Sequence, residues 1–209
     1  MKTFKRLPLL VLTVYLFLPK VAFASDVIQI PDGRDQQVLQ ALLMHLRADT
    51  NFNLTRTHTN PPTIVLQANT PEKTGFLSTG QIRSDLRTNS LPTELEDNLR
   101  RRNTPPDAAP NSYEAVSASY TNLTFSSGIV IADLKYARNS PLTMRAFEEA
   151  YPAACGFVRA YLPGYSADGN MAVVRASVGP TPHGATITAL LEKTGNTWTV
   201  KWYRLARYL

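Results

Sequence analysis

The chain of 209 residues contains one cysteine, Cys155, and three histidines. A single cysteine excludes an intramolecular disulfide as a source of stability. The histidines, at positions 45, 58 and 183, lack the closely spaced ligand pair that zinc sites usually show. The chain also lacks the glycine-rich nucleotide-binding motifs and the G-x-S-x-G motif. The sequence therefore indicates no catalytic residue, no metal ligand and no cofactor.

Cys155 with His183 is the only thiol–imidazole pair that the sequence offers for catalysis. A nucleophilic thiolate needs a base or a positive neighbour that lowers its pKa. Cys155 instead lies among small residues just before a strand-like run, a setting typical of a buried, inert cysteine. Glu148 and Glu149 are neighbours in a predicted helix, where they point about 100° apart and do not converge. Asp168 lies in a predicted turn, where aspartate is a common residue, so its presence there does not indicate a catalytic role.

The first 24 residues have the three parts of a secretory signal peptide. Basic residues form a positive head, residues 7–18 are mainly apolar, and Ala22 and Ala24 form an A-x-A exit. The apolar run is shorter than the about 20 residues that a spanning helix needs, which disfavours a signal anchor. We expect cleavage between Ala24 and Ser25, and export to the periplasm or the extracellular space.

Removal of this segment would change the charge of the chain. Four of the 22 Lys and Arg residues, and none of the 16 Asp and Glu residues, lie in residues 1–24, so the formal net charge falls from +6 to +2. A net charge this small does not indicate nucleic acid or an anionic membrane as a partner. Residues 25–209 contain no further run long enough to span a membrane. Their length is that of one domain.

The C-terminal part of the chain has the alternating pattern of β-strands. One face of residues 171–178 is apolar, and the other carries Met171, Val173, Arg175 and Ser177. Turn-forming residues at 166–170 and 194–196 separate this run from its neighbours. Short turns join adjacent antiparallel strands. We therefore predict an antiparallel meander over residues 156–162, 171–178, 185–193 and 198–203.

Upstream of the meander, the sequence predicts three helices. Apolar residues at helical spacing place the first helix over residues 35–48, the second runs from Ser90 or Thr93 to about Arg102, and the third covers 141–150. Residues 63–68 and 113–125 are predicted strands, and the proline-rich stretch near 103–111 is a connector. The predicted fold class is α+β, with the meander packed against the N-terminal and central helices.

The last predicted strand places Trp198, Val200 and Trp202 on one face, because residues at a spacing of two share a face. Such large apolar side chains need a cover. We expect Phe147 and the helix over residues 35–48 to shield both tryptophans. Phe147, Trp198 and Trp202 are thus the predicted anchors of the core.

The order of short motifs resembles a family of exported bacterial proteins of uncharacterised function. The matching segments are residues 93–103, the Phe-x-x-x-Tyr-Pro stretch at 147–152, Gly156, the Gly-Tyr-Ser-x-Asp-Gly turn at 164–169, and residues 190–198. Members often carry a tryptophan before the Phe-x-x-x-Tyr-Pro helix and a glycine- or cysteine-rich turn between the last strands. This chain has Arg145 and Ala146 at the first place, and Thr-Pro-His-Gly at 181–184 at the second. The resemblance supplies no catalytic residue.

Two function hypotheses follow. The first is an exported, non-enzymatic binding or interaction module with an unknown partner. The second is a secreted hydrolase whose site is assembled from loops. A concave site with convergent polar groups would favour the hydrolase, whereas an exposed interaction surface would favour the binding module.

Overall fold

The computed structural model describes residues 31–52, 54–55, 61–71, 92–106, 108, 114–134, 141–180 and 185–207. The predicted cleavage site, Ala24–Ser25, lies outside these ranges, as do His58 and His183. The described helices are α1 (Gly33–Ala48), α2 (Glu94–Asn103) and α3 (Pro141–Ala150), and Thr50–Phe52 forms one 3₁₀ turn. The strands are β1 (Thr63–Gln67), β2 (Ile129–Ala132), β3 (Ala154–Ala160), β4 (Gly164–Tyr165), β5 (Met171–Gly179), β6 (Ala185–Thr194) and β7 (Thr197–Arg207).

The seven strands form one mixed sheet with the order β2-β1-β3-β5-β6-β7, and β4 pairs with β5 beside this path. Strands β3, β5, β6 and β7 are antiparallel neighbours, which confirms the predicted meander and the α+β class. Gly169 and Gly195 lie in the turns of this meander with φ of 71° and 61°, a conformation that glycine adopts without a steric penalty. The turn residues thus act as the sequence suggested.

The parallel part of the sheet was not predicted. Strand β1 pairs in parallel with both β2 and β3, although β2 is only four residues long. The predicted long strand at 113–125 was wrong, because its described residues from 114 onward make only isolated bridges, one of them between Ser119 and Asn69. Alternation along a sequence indicates which side chains would share a face of a strand. It does not indicate whether another strand lies beside that segment to pair with it.

Helix α1 covers one face of the sheet. Its buried residues Val38, Leu39, Leu42, Leu43 and Leu46 join the main apolar cluster with the even-numbered residues of β5 and the odd-numbered residues of β6. The opposite face carries α2 at one end and α3 at the other. Leu95 and Leu99 of α2 pack against Tyr161, Val173 and Leu190, whereas Phe147 of α3 packs against Val65 and Phe157. Each face of the sheet therefore has its own helical cover.

The prediction that Trp198 and Trp202 share a face was wrong. Trp198 pairs with Lys193 and lies in the α1 cluster, whereas Trp202 pairs with Leu190 and lies beside the α2 cluster. The register shifts because Leu190 pairs with Trp202 while Leu191 pairs with Val200, which leaves Lys201 as an extra residue. One inserted residue moves every later side chain to the other face. Phe147 likewise shields neither tryptophan, because it lies in the α3 cluster.

The C-terminal half of α2 is joined to the segment before β4 by side-chain hydrogen bonds. The Asn103 amide accepts from the backbone N–H of Leu162 at 2.8 Å and donates to its carbonyl oxygen at 2.8 Å. The Asn98 side chain accepts from the backbone N–H of Tyr165 at 3.0 Å. These bonds bring Gly164 so close to the helix that a Cβ atom there would lie 2.5 Å from the Leu99 nitrogen.

We expect Gly164→Ala to lower the free energy of unfolding by about 1–3 kcal/mol, the usual range for overpacking. The added methyl group would also lie 2.6 Å from the Leu95 carbonyl oxygen, and backbone atoms of a helix cannot move aside as a side chain does. Gly33→Ala is the matched control, since no atom lies within 4 Å of its added Cβ. Urea unfolding of both variants tests this prediction, and equal midpoints would contradict it.

Candidate functional site

Three arginines lie on the face of the sheet that also carries α2 and α3. Arg159 on β3 pairs with Ser177 on β5, whereas Arg175 on β5 pairs with Thr188 on β6, which in turn pairs with Arg204 on β7. Directly paired residues of antiparallel strands project to the same face. These side chains therefore form two adjacent rows across four strands. We call this set the arginine patch: Arg159, Arg175, Ser177, Thr186, Thr188 and Arg204.

The spacing of the patch follows from the register. Arg159 and Arg175 are diagonal neighbours on adjacent strands, a relation that separates them by roughly 7–8 Å. Arg175 and Arg204 are two strands apart in one row, which corresponds to roughly 10 Å. The backbone hydrogen bonds of the sheet hold these positions, so the spacing does not depend on a loop.

Arg175 is the buried member of the patch, with 1% of its surface exposed. Its guanidinium donates a hydrogen bond to the hydroxyl oxygen of Thr188, which is itself fully buried. A buried charge is tolerated only where hydrogen bonds and charges compensate for lost hydration. Because a guanidinium stays protonated at physiological pH, Arg175 places a permanent positive charge beneath this face.

Arg159 and Arg204 are the accessible members. Arg204 is exposed, and Arg159 and Ser177 are half-buried. Within the described ranges, no residue forms a hydrogen bond, ion pair or ring contact with the Arg159 side chain. Arg159 therefore retains its five N–H donors for a group outside this part of the chain.

The two apolar clusters of this face lie on either side of the patch. The α2 cluster includes Val173 and Leu190, which precede and follow patch residues by two positions on their strands. The α3 cluster includes Phe157, two residues before Arg159 on β3. The charged side chains thus occupy the part of the sheet between the two helix-covered ends, where low-dielectric walls strengthen the field of a charge.

A second polar cluster joins α1, α2 and β4 around the buried carboxylate of Asp35. This carboxylate accepts two hydrogen bonds from Arg102, at 2.7 and 2.9 Å, and one from the Tyr165 hydroxyl at 2.7 Å. It also accepts from the backbone N–H of Asp32 at 3.1 Å, which closes the capping box of α1. Four donors satisfy this carboxylate, so the cluster is a structural joint between three elements.

The surroundings of this joint shift the pKa of Tyr165 and of Arg102. Burial and the neighbouring charge of Asp35 raise the pKa of Tyr165 far above its usual value. Burial alone would lower the pKa of Arg102, but the hydrogen bonds and charge of Asp35 outweigh it and raise that pKa. The Arg34 guanidinium lies 3.7 Å from the centre of the Tyr165 ring, a cation–π contact. Both shifts keep the Tyr165 hydroxyl and the Arg102 guanidinium protonated near neutral pH.

Cys155 is buried, with 2% of its surface exposed, and burial raises the pKa of its thiol to about 11. We therefore expect slow reaction with a chromogenic disulfide reagent at pH 8 in the folded protein and rapid reaction in denaturant, since the thiolate is the reactive form. Cys155→Ala is the blank for this assay. Rapid labelling of the folded chain would contradict the prediction.

Among the described residues, the other candidates from the sequence lie in separate parts of the fold. Glu149 forms an exposed ion pair with Arg145 at 2.8 Å. Asp168 is held in its turn by the Ser166 hydroxyl at 2.6 Å, and this hydrogen bond lowers the pKa of Asp168. His45 lies at the end of α1 against Tyr203. In the described part of the chain, no three His, Cys, Asp or Glu side chains are grouped so that they could hold a metal ion.

None of the helices that the structure describes is long and apolar enough to cross a membrane. A scan against protein-family models, a search of curated proteins and a search of solved structures found no match to this chain.

Sequence reasoning did not identify the arginine patch. The alternation of residues 171–178 did place Arg175 opposite the apolar face, which is where it lies. The sequence does contain one hint of the patch, because each of the three strands β3, β5 and β7 carries an arginine at a position of the same face. The sequence does not give the register that makes these arginines neighbours.

Proposed function

We propose that this chain is a non-enzymatic binding or interaction module and that it binds its ligand through the arginine patch. The observation that carries this proposal is Arg159, a half-buried arginine on a central strand whose side chain contacts no described partner. Leaving a charged group half out of water without a partner costs free energy. A bound ligand would recover that free energy.

The rigidity of the patch supports binding in a second way. Its three arginines come from strands β3, β5 and β7, which belong to one hydrogen-bonded sheet. The backbone that carries these arginines is therefore already ordered, so binding needs no ordering of a loop, and only the side chains lose rotamer freedom. The planar guanidinium fork also loses less freedom for each hydrogen bond than a lysine does.

A printed array of glycans, nucleotides and peptides, followed by mass spectrometry of the bound compound, tests the function. We expect at least one compound to bind the parent chain, to lose binding in Arg159→Gln, and to be recovered intact. Arg145→Gln, which removes an exposed arginine on α3, should bind as the parent does. Recovery of a cleaved compound would instead support the secreted hydrolase, and binding that Arg159→Gln does not change would refute the role of the patch.

We also propose that the protein is exported and processed, on the grounds of its N-terminal composition and its resemblance to exported bacterial proteins. Sequencing the N-terminus of the protein recovered from a bacterial periplasm or medium should give Ser25 as the first residue. Recovery of a chain that retains residues 7–18 would contradict this prediction.

A further inference from the structure

We propose that Met44 is a modification site, at which a peroxide converts the thioether to a sulfoxide that keeps the contact between α1 and residues 123–128. Met44 lies on α1 with 37% of its surface exposed, an unusual fraction for a large apolar side chain in the described part of the chain. A dissolved oxidant can therefore reach this side chain. The residues around its sulfur determine what the oxidation would do.

One side of α1 holds the segment that leads into β2. The side-chain amide of Gln36 donates to the carbonyl oxygen of Thr124 at 2.6 Å, and Gln40 accepts from the backbone N–H of Ser126 at 3.3 Å. One turn further along, the sulfur of Met44 accepts from the Ser126 hydroxyl at 3.4 Å. Residues at a spacing of four are neighbours on one side of a helix. These three side chains therefore form one line of contacts with the segment.

Arg47 brings a second donor to the same sulfur. Its Nη1 lies 3.7 Å from Sδ of Met44 and also donates to the carbonyl oxygen of Ser127 at 3.0 Å. A thioether is only a weak acceptor, whereas a sulfoxide is polar and offers an oxygen to the same two donors. The methionine side chain is unbranched and has three rotatable bonds, so it can turn this oxygen towards Ser126 and Arg47.

The oxidation needs only the sulfur and a peroxide. A lone pair of the sulfur attacks one oxygen of hydrogen peroxide, and the S–O bond forms as the O–O bond breaks. The departing hydroxide takes the proton of the transferred oxygen and leaves as water. The sulfur loses two electrons and the peroxide gains them. Methionine sulfoxide reductases reverse the change, so Met44 would be a reversible site.

The other methionines of the described ranges have different surroundings. Met144 and Met171 are half-buried, and Met171 packs against the α2 cluster. A sulfoxide in such an apolar contact disrupts the packing. Met44 differs in being exposed and in having two hydrogen-bond donors at its sulfur. We therefore expect its oxidation to be both faster and better tolerated.

Peroxide treatment of the folded chain, followed by digestion and mass spectrometry, measures the rate at each methionine. We expect Met44 to gain an oxygen atom several times faster than Met144 and Met171, because the oxidant must reach the sulfur. In denaturant the three rates should become similar. Faster oxidation of either half-buried methionine in the folded chain would overturn the proposal.

Thermal unfolding measures what the sulfoxide does to the fold. Met144→Leu with Met171→Leu leaves Met44 as the one methionine of the described ranges, and exchanges of methionine for leucine are well tolerated in cores. We expect peroxide to leave the melting temperature of this variant unchanged or to raise it. Adding Met44→Leu gives the blank, which peroxide should not affect. A melting temperature that falls in the first variant and not in the blank would contradict the proposal.

Amide hydrogen exchange over residues 123–128 tests the role of the sulfur as an acceptor. Met44→Leu removes the acceptor and should make this segment exchange faster than in the parent. The oxidised chain and Met44→Gln, whose amide oxygen stands in for the sulfoxide oxygen, should exchange no faster than the parent. Parent-like exchange in Met44→Leu would show that the sulfur does not hold the segment, and the proposal would then be wrong.

Oxidation of Met44 and binding at the arginine patch can be tested separately. Helix α1 covers the face of the sheet opposite the patch. We therefore expect the oxidised chain to bind the compound captured through Arg159 as the parent does. Loss of this binding on oxidation of Met44 alone would show that the sulfoxide disturbs the whole sheet, which would overturn the proposal for Met44.

Discussion

Asp35→Ala should lower the free energy of unfolding by about 3–5 kcal/mol, the range for removing one partner of a buried ion pair. The carboxylate of Asp35 is fully buried and Arg102 is 20% exposed, so the substitution leaves a guanidinium with little access to water. It also removes the acceptor of the Tyr165 hydroxyl and half of the capping box of α1. The loss would be a large share of the about 5–15 kcal/mol by which domains are stable.

Glu149→Ala is the matched control for Asp35→Ala. It breaks a carboxylate–arginine pair of similar length, 2.8 Å against 2.7 Å, but both of its partners are exposed. Exposed pairs contribute little to stability, so we expect nearly the parent's melting temperature. Thermal unfolding by circular dichroism measures both variants. Similar melting temperatures for Asp35→Ala and Glu149→Ala would contradict the prediction that the Asp35 ion pair stabilises the fold.

Trp198→Ala should lower the free energy of unfolding by about 3–5 kcal/mol, as removal of a buried aromatic side chain usually does. Trp198 is 5% exposed and packs in the α1 cluster, with its ring 6.1 Å from that of Tyr165. Trp202 is half-buried on the other face, beside the α2 cluster. Trp202→Ala should therefore lower the free energy of unfolding by clearly less, because the stabilisation by a side chain scales with the apolar area that folding removes from water.

Urea unfolding of Trp198→Ala, Trp202→Ala and Lys201→Ala separates these contributions. Lys201 is the extra residue of the β7 bulge and forms an exposed ion pair with Glu192 at 2.5 Å, so its replacement should have little effect. An equal loss in both tryptophan variants would argue that they share one environment, as alternation without a bulge predicts. If Trp202→Ala instead kept full stability but lost ligand binding, Trp202 would belong to the binding surface.

The position of the bulge matches a feature by which natural sheets discourage edge-to-edge pairing. Strand β7 is eleven residues long and lies at the end of the strand order, so it has the length to pair with another chain. Natural sheets discourage such pairing with bulges and with lysine on the edge strand. The extra residue in β7 is a lysine, Lys201, so one residue provides both features.

The local elements of this fold could be predicted from the sequence. The start of α1 could be read from Asp32 and Asp35, because a capping box involves groups only three residues apart. The first turn of α3 at Pro141 and the turns at Gly169 and Gly195 follow from the backbone preferences of single residues. The meander followed because short turns leave antiparallel pairing as the available arrangement.

The candidate site could not be predicted from the sequence, because it depends on which residues of adjacent strands pair with each other. Arg159, Arg175 and Arg204 are separated by 16 and 29 positions along the chain. They become neighbours only through the pairings of Arg159 with Ser177 and of Thr188 with both Arg175 and Arg204. A shift of one residue in either hairpin would place one arginine on the α1 face.

The sequence by itself determined the three helices, the four-strand meander and the inert setting of Cys155, since each depends on side chains close together in the chain. The tertiary structure alone decided the parallel pairing of β1, the separation of Trp198 from Trp202 and the burial of Asp35 against Arg102. Each of these depends on groups that are far apart in sequence or on a single inserted residue. The free energy of each arrangement depends on which strand or side chain lies next to it in space. The pattern of residues along the sequence does not contain that information.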